Sequence, residues 1–255
     1  MNIVTICDTN PDWLDFHLLR FIRLARRAMP DATYHALIVA PYGPEPNAKT
    51  HDSLKLFDVV RFVQPEQQIG YLHYNALRYG LLERFGLSEC LYVDPDVDMF
   101  APPIIPDQGK ADIRWCRSPV CPAGMDGLIT KLGLSGQLVD GEGREIWPNS
   151  GMLYLRRDHL DKYMTAAGHV HRAGYDPRMI GNASFMVMCR MFRDMTAEMP
   201  YQNDVIWWER DNPVTQVIHG NMRASAYTIA RGVHYCNDHG KAVRRAIDAG
   251  WVYND

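Results

Sequence analysis

The sequence predicts an α/β fold: one Rossmann-like domain with a mainly parallel central sheet flanked by helices. Three observations carry this. Short apolar runs of strand length alternate with segments of helical periodicity through the first hundred residues, as a parallel sheet requires, because each crossover lays a helix on the sheet. No repeat, linker or change of composition divides the 255 residues, a length that fits one large α/β domain. Acidic residues close two of the runs, Asp8 after the first and Asp94 after the fourth. In such sheets ligands bind beyond the carboxyl ends of the strands, so both residues belong to one rim.

The first strand runs from Asn2 to Cys7 and ends at Asp8. Asn10-Pro11-Asp12 then reads as a helix start, with Asn as N-cap, Pro at the first helical position and Asp favoured by the helix dipole. Leu14, Leu18, Phe21, Ile22, Ala25 and Met29 recur at helical spacing and give that helix an apolar face, while Arg20, Arg23, Arg26 and Arg27 give it a solvated one. A second strand, Tyr34–Ala40, stops at Pro41; a loop and a short helix lead to a third, Asp58–Val63. A helix over Tyr71–Phe85 puts Tyr74, Leu77, Leu81 and Phe85 on one side, and Cys90–Val93 is the fourth strand. Beyond it the pattern is less regular. Pro119–Pro148, with glycines from Gly124 to Gly143, reads as a long excursion with a short helix, a candidate lid. Met152–Leu155 is a strand and about Asn182–Phe192 a helix. Gln202-Asn203-Asp204 opens another helix carrying Trp207 and Trp208. Tyr227–Ile229 is strand-like, and a closing helix starts near Lys241.

Formal net charge is −3, so no global positive field draws the chain to nucleic acid or anionic lipid. Cys7, Cys90, Cys116, Cys121, Cys189 and Cys236 form no Cys-x-x-Cys pair and read as reduced residues, most of them buried, not as a disulfide framework or zinc site. No run approaches the ~18 apolar residues of a membrane span, and no basic-then-apolar leader follows Met1. The sequence therefore predicts no transmembrane segment and a cytoplasmic location, the host cytoplasm for a viral protein.

The chemistry concentrates in Leu91-Tyr92-Val93-Asp94-Pro95-Asp96. In an extended segment the side chains at i and i+2 share a face, and Pro95 biases Asp94 toward extended backbone. Two same-facing carboxylates repel unless a cation joins them. Hard ions such as Mg2+ or Mn2+ take one or two carboxylates together with substrate phosphates. The alternative is a solvated turn whose aspartates cap backbone amides; the position directly after a buried strand favours the cation. Asp98 shares the face by alternation and suits a turn or supporting role. His219 and His234 each follow a short apolar run. His234 is the better third ligand, because Gly240-Lys241 and a helix start suited to phosphate follow it; His239 is a weaker candidate.

The same segment resembles the "LYLDAD" stretch of GT-A glycosyltransferases, above all glycosyltransferase family 8 and its relatives. Three further segments resemble that family in its order: Val4-Thr-Ile-Cys-Asp8 the first strand, Asn149-Ser-Gly-Met-Leu-Tyr-Leu155 the "NSGVMLI" strand, and Val233-His234-Tyr235 with Gly240-Lys241 the late "HF-G-KPW" region. The resemblance implies a single GT-A domain over 1–255, about 1–100 forming its nucleotide-binding half and about 101–255 its acceptor side. It would move a sugar from a nucleotide-sugar donor, a UDP-sugar in first place, with Mn2+ or Mg2+ as cofactor. It assigns Asp94, Asp96 and His234 to the metal. It assigns Thr5, Cys7, Asp8, Asn75, Arg78, Asp94, Asn149, Ser150, Gly151 and Lys241 to the nucleotide sugar. Gln202-Asn203-Asp204 stands for the family's Asp-Gln-Asp, which puts Asn203 or Asp204 near the anomeric carbon. Asp204 is the candidate base if the reaction inverts; the retaining course that the resemblance implies needs no such base. The family's Lys-Pro-Trp is Lys241-Ala-Val here. The acceptor stays open between a glycan, a small molecule and modified DNA, whose phosphates Arg156-Arg157 and Arg244-Arg245 would contact. A sugar-phosphate nucleotidyltransferase would carry a glycine-rich loop, and Cys7–Asp12 has no glycine. A non-catalytic nucleotide-sugar-binding protein would not need Asp94 and Asp96.

Overall fold

The computed structural model describes residues 1–10, 13–40, 51–64, 75–106, 111–118, 121–176, 180–200, 203, 205–207 and 231–235. Strands β1 (Asn2–Asp8), β2 (Thr33–Val39), β3 (Val59–Val63) and β4 (Cys90–Val93) are parallel and stand in the order β3-β2-β1-β4. A three-residue strand follows the acidic turn, β5 (Val97–Met99). The large sheet continues with β6 (Ile113–Ser118) and β7 (Trp147–Leu155). β7 runs antiparallel beside β4, and β6 antiparallel beside β7. β8 (Thr196–Glu198) pairs in parallel with β6 and completes seven strands. The sheet is thus mainly parallel, with β7 running against its neighbours.

Each strand turns alternate residues to opposite faces, and both faces are apolar, as expected of a sheet covered on both sides. Ile3, Cys7, Ala36, Ile38, Leu91 and Val93 face α1 (Leu19–Ala28) and the π-helical turn Trp13–Leu18 before it. Val4, Ile6, Leu37, Val39, Tyr92 and Leu153 face the other layer. That layer holds a 3-10 turn (Leu77–Gly80) and the helices α3 (Leu81–Phe85), α4 (Met125–Lys131), α5 (Leu160–Arg172) and α6 (Ile180–Met191). A short α2 (Asp52–Lys55) precedes β3.

The apolar face expected of α1 is present: Leu14, Leu18, Phe21, Ile22, Ala25 and Met29 are all buried. Its solvated face needs one correction. Arg20 is buried and paired with buried Asp98, because the helix crosses β5 at that point and the charge finds its counterion there. Arg26 reaches Leu56 O and Asp58, and only Arg23 and Arg27 are exposed.

The second half departs further. Val205–Trp207 is a strand, β9, and not part of a helix; it pairs in parallel with β10 (Gly232–Tyr235), which pairs antiparallel with β5. β6 and α5 go beyond the expected elements, and Met152–Leu155 is the second part of the longer β7. The glycine-rich excursion is docked: Met125, Leu128 and Ile129 are buried in the core. Its Glu145 accepts from Gly136 N and from the buried Arg190 of α6, so it does not present a free-standing lid. Pro11, Tyr74, Gln202, Trp208, His219, Tyr227–Ile229, His239 and the closing helix lie outside the described residues.

Candidate active site

β4 ends at Val93, and the chain turns at Asp94-Pro95-Asp96 before β5. The turn closes with Val97 N donating to Asp94 O at 3.1 Å. β7 extends past the end of β4, so that Asn149, Ser150 and Gly151 reach the same rim; Gly151 O accepts from Asp94 N at 2.7 Å. β10 lies antiparallel to β5 with His234 opposite Val97, which brings an imidazole from 138 positions beyond Asp96 back to the acidic turn. One ligand atom each from Asp94, Asp96 and His234 lies within 4.8 Å of the others.

The surroundings hold these groups in place. His234 is buried. Its Nε2 stands 3.4 Å from Asp96 Oδ1, and its Nδ1 stands 3.2 Å from Asn149 Nδ2. Arg78 is a brace between strands: Nη2 donates to Asp94 Oδ1 at 2.8 Å and Nη1 to Ser150 Oγ at 2.7 Å. Tyr92 also donates its phenol hydrogen to Asp94 Oδ1. Burial, the largest cause, raises the Asp94 carboxyl above the usual carboxylate range; Arg78 pulls it down, Asp96 pushes it up, and His234 and Tyr92 pull it down.

The donor set fits a hard divalent cation. Two carboxylates and an imidazole are acceptable ligands for Mn2+, and cation–ligand bonds of about 2.1–2.5 Å place ligand atoms up to about 4–5 Å apart, the spread seen here.

The other expected residues divide. Asp8 stands at the rim, where its Oδ1 accepts from Asn10 N at 2.9 Å and closes a turn. Thr5 and Cys7 are fully buried. Cys7 belongs to the core under α1, and burial raises its thiol well above the ordinary range, so neither side chain is presented to a ligand. Asn75 is buried two residues before the 3-10 turn. Asn203 is not brought to the cluster. It is fully buried, with Oδ1 accepting from Ile104 N at 2.8 Å and Nδ2 donating to Ile104 O at 2.7 Å. Its carboxamide is occupied in holding the segment after β5, because a buried amide needs partners and finds them there. Asp204 and Lys241 lie outside the described residues.

Asn182, in the first turn of α6, is a residue at the cluster that sequence reasoning did not single out. Ser150 Oγ donates to its Oδ1 at 3.3 Å, so it joins the polar chain Asn182–Ser150–Arg78–Asp94. In the sequence it reads as an ordinary helix-start residue, and only the fold sets α6 against the start of β7.

No protein-family model and no curated protein matches the chain by sequence. Solved structures do match. An active-site Gln-to-Glu mutant of LgtC aligns over 100% of this chain and 97% of its own at 17% identity, with a TM-score of 0.58. The galactosyltransferase LgtC in complex with donor and acceptor sugar analogues aligns over the same shares at 16% identity and a TM-score of 0.60. Mouse xyloside xylosyltransferase 1, in its apo form, covers 92% of this chain and 97% of its own at 11% identity and 0.53. The chain has the GT-A fold of these structures.

Proposed function

We propose that the chain is a metal-dependent glycosyltransferase that takes its sugar from a nucleoside-diphosphate sugar, a UDP-sugar in first place, and passes it to a sugar acceptor. The observation that carries this is the convergence of Asp94, Asp96 and His234 within 4.8 Å, at the strand ends where such sheets bind ligands. The matching of LgtC, whose structure was solved with donor and acceptor sugar analogues, supports the choice of substrates.

Asp94, Asp96 and His234 would hold Mn2+ or Mg2+, which neutralises the diphosphate leaving group as the glycosidic bond breaks. Ligation through His234 Nε2 requires the proton on Nδ1. Asn149 Nδ2 stands 3.2 Å from that nitrogen and Asn149 Oδ1 accepts from Gly151 N, so ligation through Nε2 entails a turn of the Asn149 carboxamide that brings its oxygen to Nδ1 at the expense of the Gly151 contact. Arg78 and Ser150 keep Asp94 in register with the donor strand, and the carboxamide of Asn182 offers a donor and an acceptor to sugar hydroxyls. Asp8 is placed for the base or ribose. Lys241 is assigned to the diphosphate, and Asp204 serves as base if the reaction inverts.

Thermal-shift screening of UDP-, GDP- and TDP-sugars with and without Mn2+ tests the proposal. A ligand held only by the folded state at a hundred times its Kd adds about 2.7 kcal/mol, or about 5–11 °C for a domain of this size. Stabilisation by one nucleotide series and only with metal is expected; no shift from any donor contradicts the proposal.

A further inference from the structure

Among the described residues, both hydrogen bonds to the Asp94 carboxylate end on the same oxygen. Arg78 Nη2 donates to Oδ1 at 2.8 Å, and the Tyr92 hydroxyl donates to Oδ1 as well. Neither donor has latitude. Tyr92 is fully buried in β4, and the Arg78 guanidinium lies 5.0 Å from the centroid of its ring. Ser150 Oγ holds the other end of that guanidinium at 2.7 Å. A carboxylate oxygen offers roughly two lone-pair sites, and two charge-assisted or phenolic donors take both.

Building on the metal site proposed above, we infer that Tyr92 is a positioning residue that makes Asp94 a one-oxygen ligand. Oδ1 is reserved for the protein and Oδ2 for the cation, and the site thereby favours small octahedral ions over Ca2+. A carboxylate that ligates through both oxygens suits Ca2+, which takes six to eight oxygens at about 2.3–2.6 Å. One that offers a single oxygen suits a six-coordinate ion with shorter bonds. Tyr92→Phe removes one hydroxyl, leaves the ring and its packing, and opens one of the two Oδ1 lone pairs to solvent or metal while Arg78 keeps the other.

The test uses the full-length, metal-free chain. Mn2+ binding is read from the loss of the free-ion paramagnetic resonance signal, and Ca2+ binding from its competition with Mn2+. Hydrogen bonds to metal ligands are typically worth ten- to a hundredfold in affinity. Tyr92→Phe should therefore weaken Mn2+ by about that factor while Ca2+ holds or tightens, so the Mn2+/Ca2+ preference falls at least about tenfold. Equal weakening of both ions would make Tyr92 a packing residue only and overturn the inference, as would an unchanged preference. If the wild type binds neither ion, the metal site itself fails, an outcome distinct from a variant that binds both without changed selectivity. Should Tyr92→Phe not fold, Ser150→Ala releases the far end of the Arg78 brace and should lower the same preference in the same direction.

Discussion

Removing Asp98 should destabilise the protein more than removing any exposed charge. Its carboxylate accepts from Arg20 Nε at 3.0 Å on each oxygen and from Arg20 Nη2 at 2.8 Å, and the two side chains are only 6% and 2% exposed. Breaking a buried pair from one side leaves the other charge without compensation, a cost of about 3–5 kcal/mol. An exposed pair such as Lys55–Asp52 contributes at most about 1 kcal/mol. For a domain of about this length, 1 kcal/mol moves the melting temperature by roughly 2–4 °C. Asp98→Ala should therefore lower it by about 6–20 °C, measured by calorimetry or by urea unfolding followed by circular dichroism. The double variant Arg20→Met/Asp98→Leu should recover most of the loss, because apolar residues of similar volume often replace a buried pair without cost. A single-variant loss below about 1 kcal/mol, the scale of a solvated pair, would refute the assignment.

Three further expectations follow from the packing. Asn203→Ala should cost about 1–3 kcal/mol of stability, the penalty for stranding the Ile104 backbone groups, and stability should fall without a fall in kcat once the protein is kept folded; a selective loss of kcat would restore Asn203 to the chemistry. Gly232→Ala should destabilise the small sheet by about 1–3 kcal/mol, since a Cβ there would sit 2.3 Å from the Asn203 carbonyl oxygen; unchanged melting would show that this approach relaxes freely. Amide exchange in Met125–Lys131 should be slow with or without a nucleotide sugar, because its apolar side is in the core; protection that appears only with donor would return the excursion to the role of a lid.

What the sequence made legible was local. β1, α1, β2, β3 and β4 follow from runs of two- and 3.6-residue period, and β4 stands at the predicted Cys90–Val93. The Asp94–Asp96 face could be read because β4 and the turn after it are contiguous. What was not legible depends on distant partners. Val205–Trp207 takes its strand conformation from β10, with Val205 opposite Val233, and nothing within three residues announces that pairing. Arg20 looks solvated beside Arg23 and Arg27 because its counterion lies 78 positions away. Asn203 looks catalytic for the same reason, its true partner Ile104 being 99 positions away. Polar residues at helix starts mimic site residues, and only the fold sets Asn182 beside Ser150. His234 could be chosen from its own neighbourhood only because a glycine and a lysine follow.

The central claim is that Asp94, Asp96 and His234 hold the cation that joins the protein to a nucleoside diphosphate. Titration calorimetry of UDP into the chain, with Mn2+ and with chelator, in the wild type and in Asp96→Ala, tests it most directly. Asp96 is the variant of choice because its side chain is 16% exposed and its removal leaves the Arg78–Ser150 brace intact. Wild-type binding that requires Mn2+, and its loss by about a hundredfold or more in a variant of unchanged melting temperature, about 2.7 kcal/mol, is the predicted result. Mn2+-dependent binding of equal strength in folded Asp96→Ala would contradict the account.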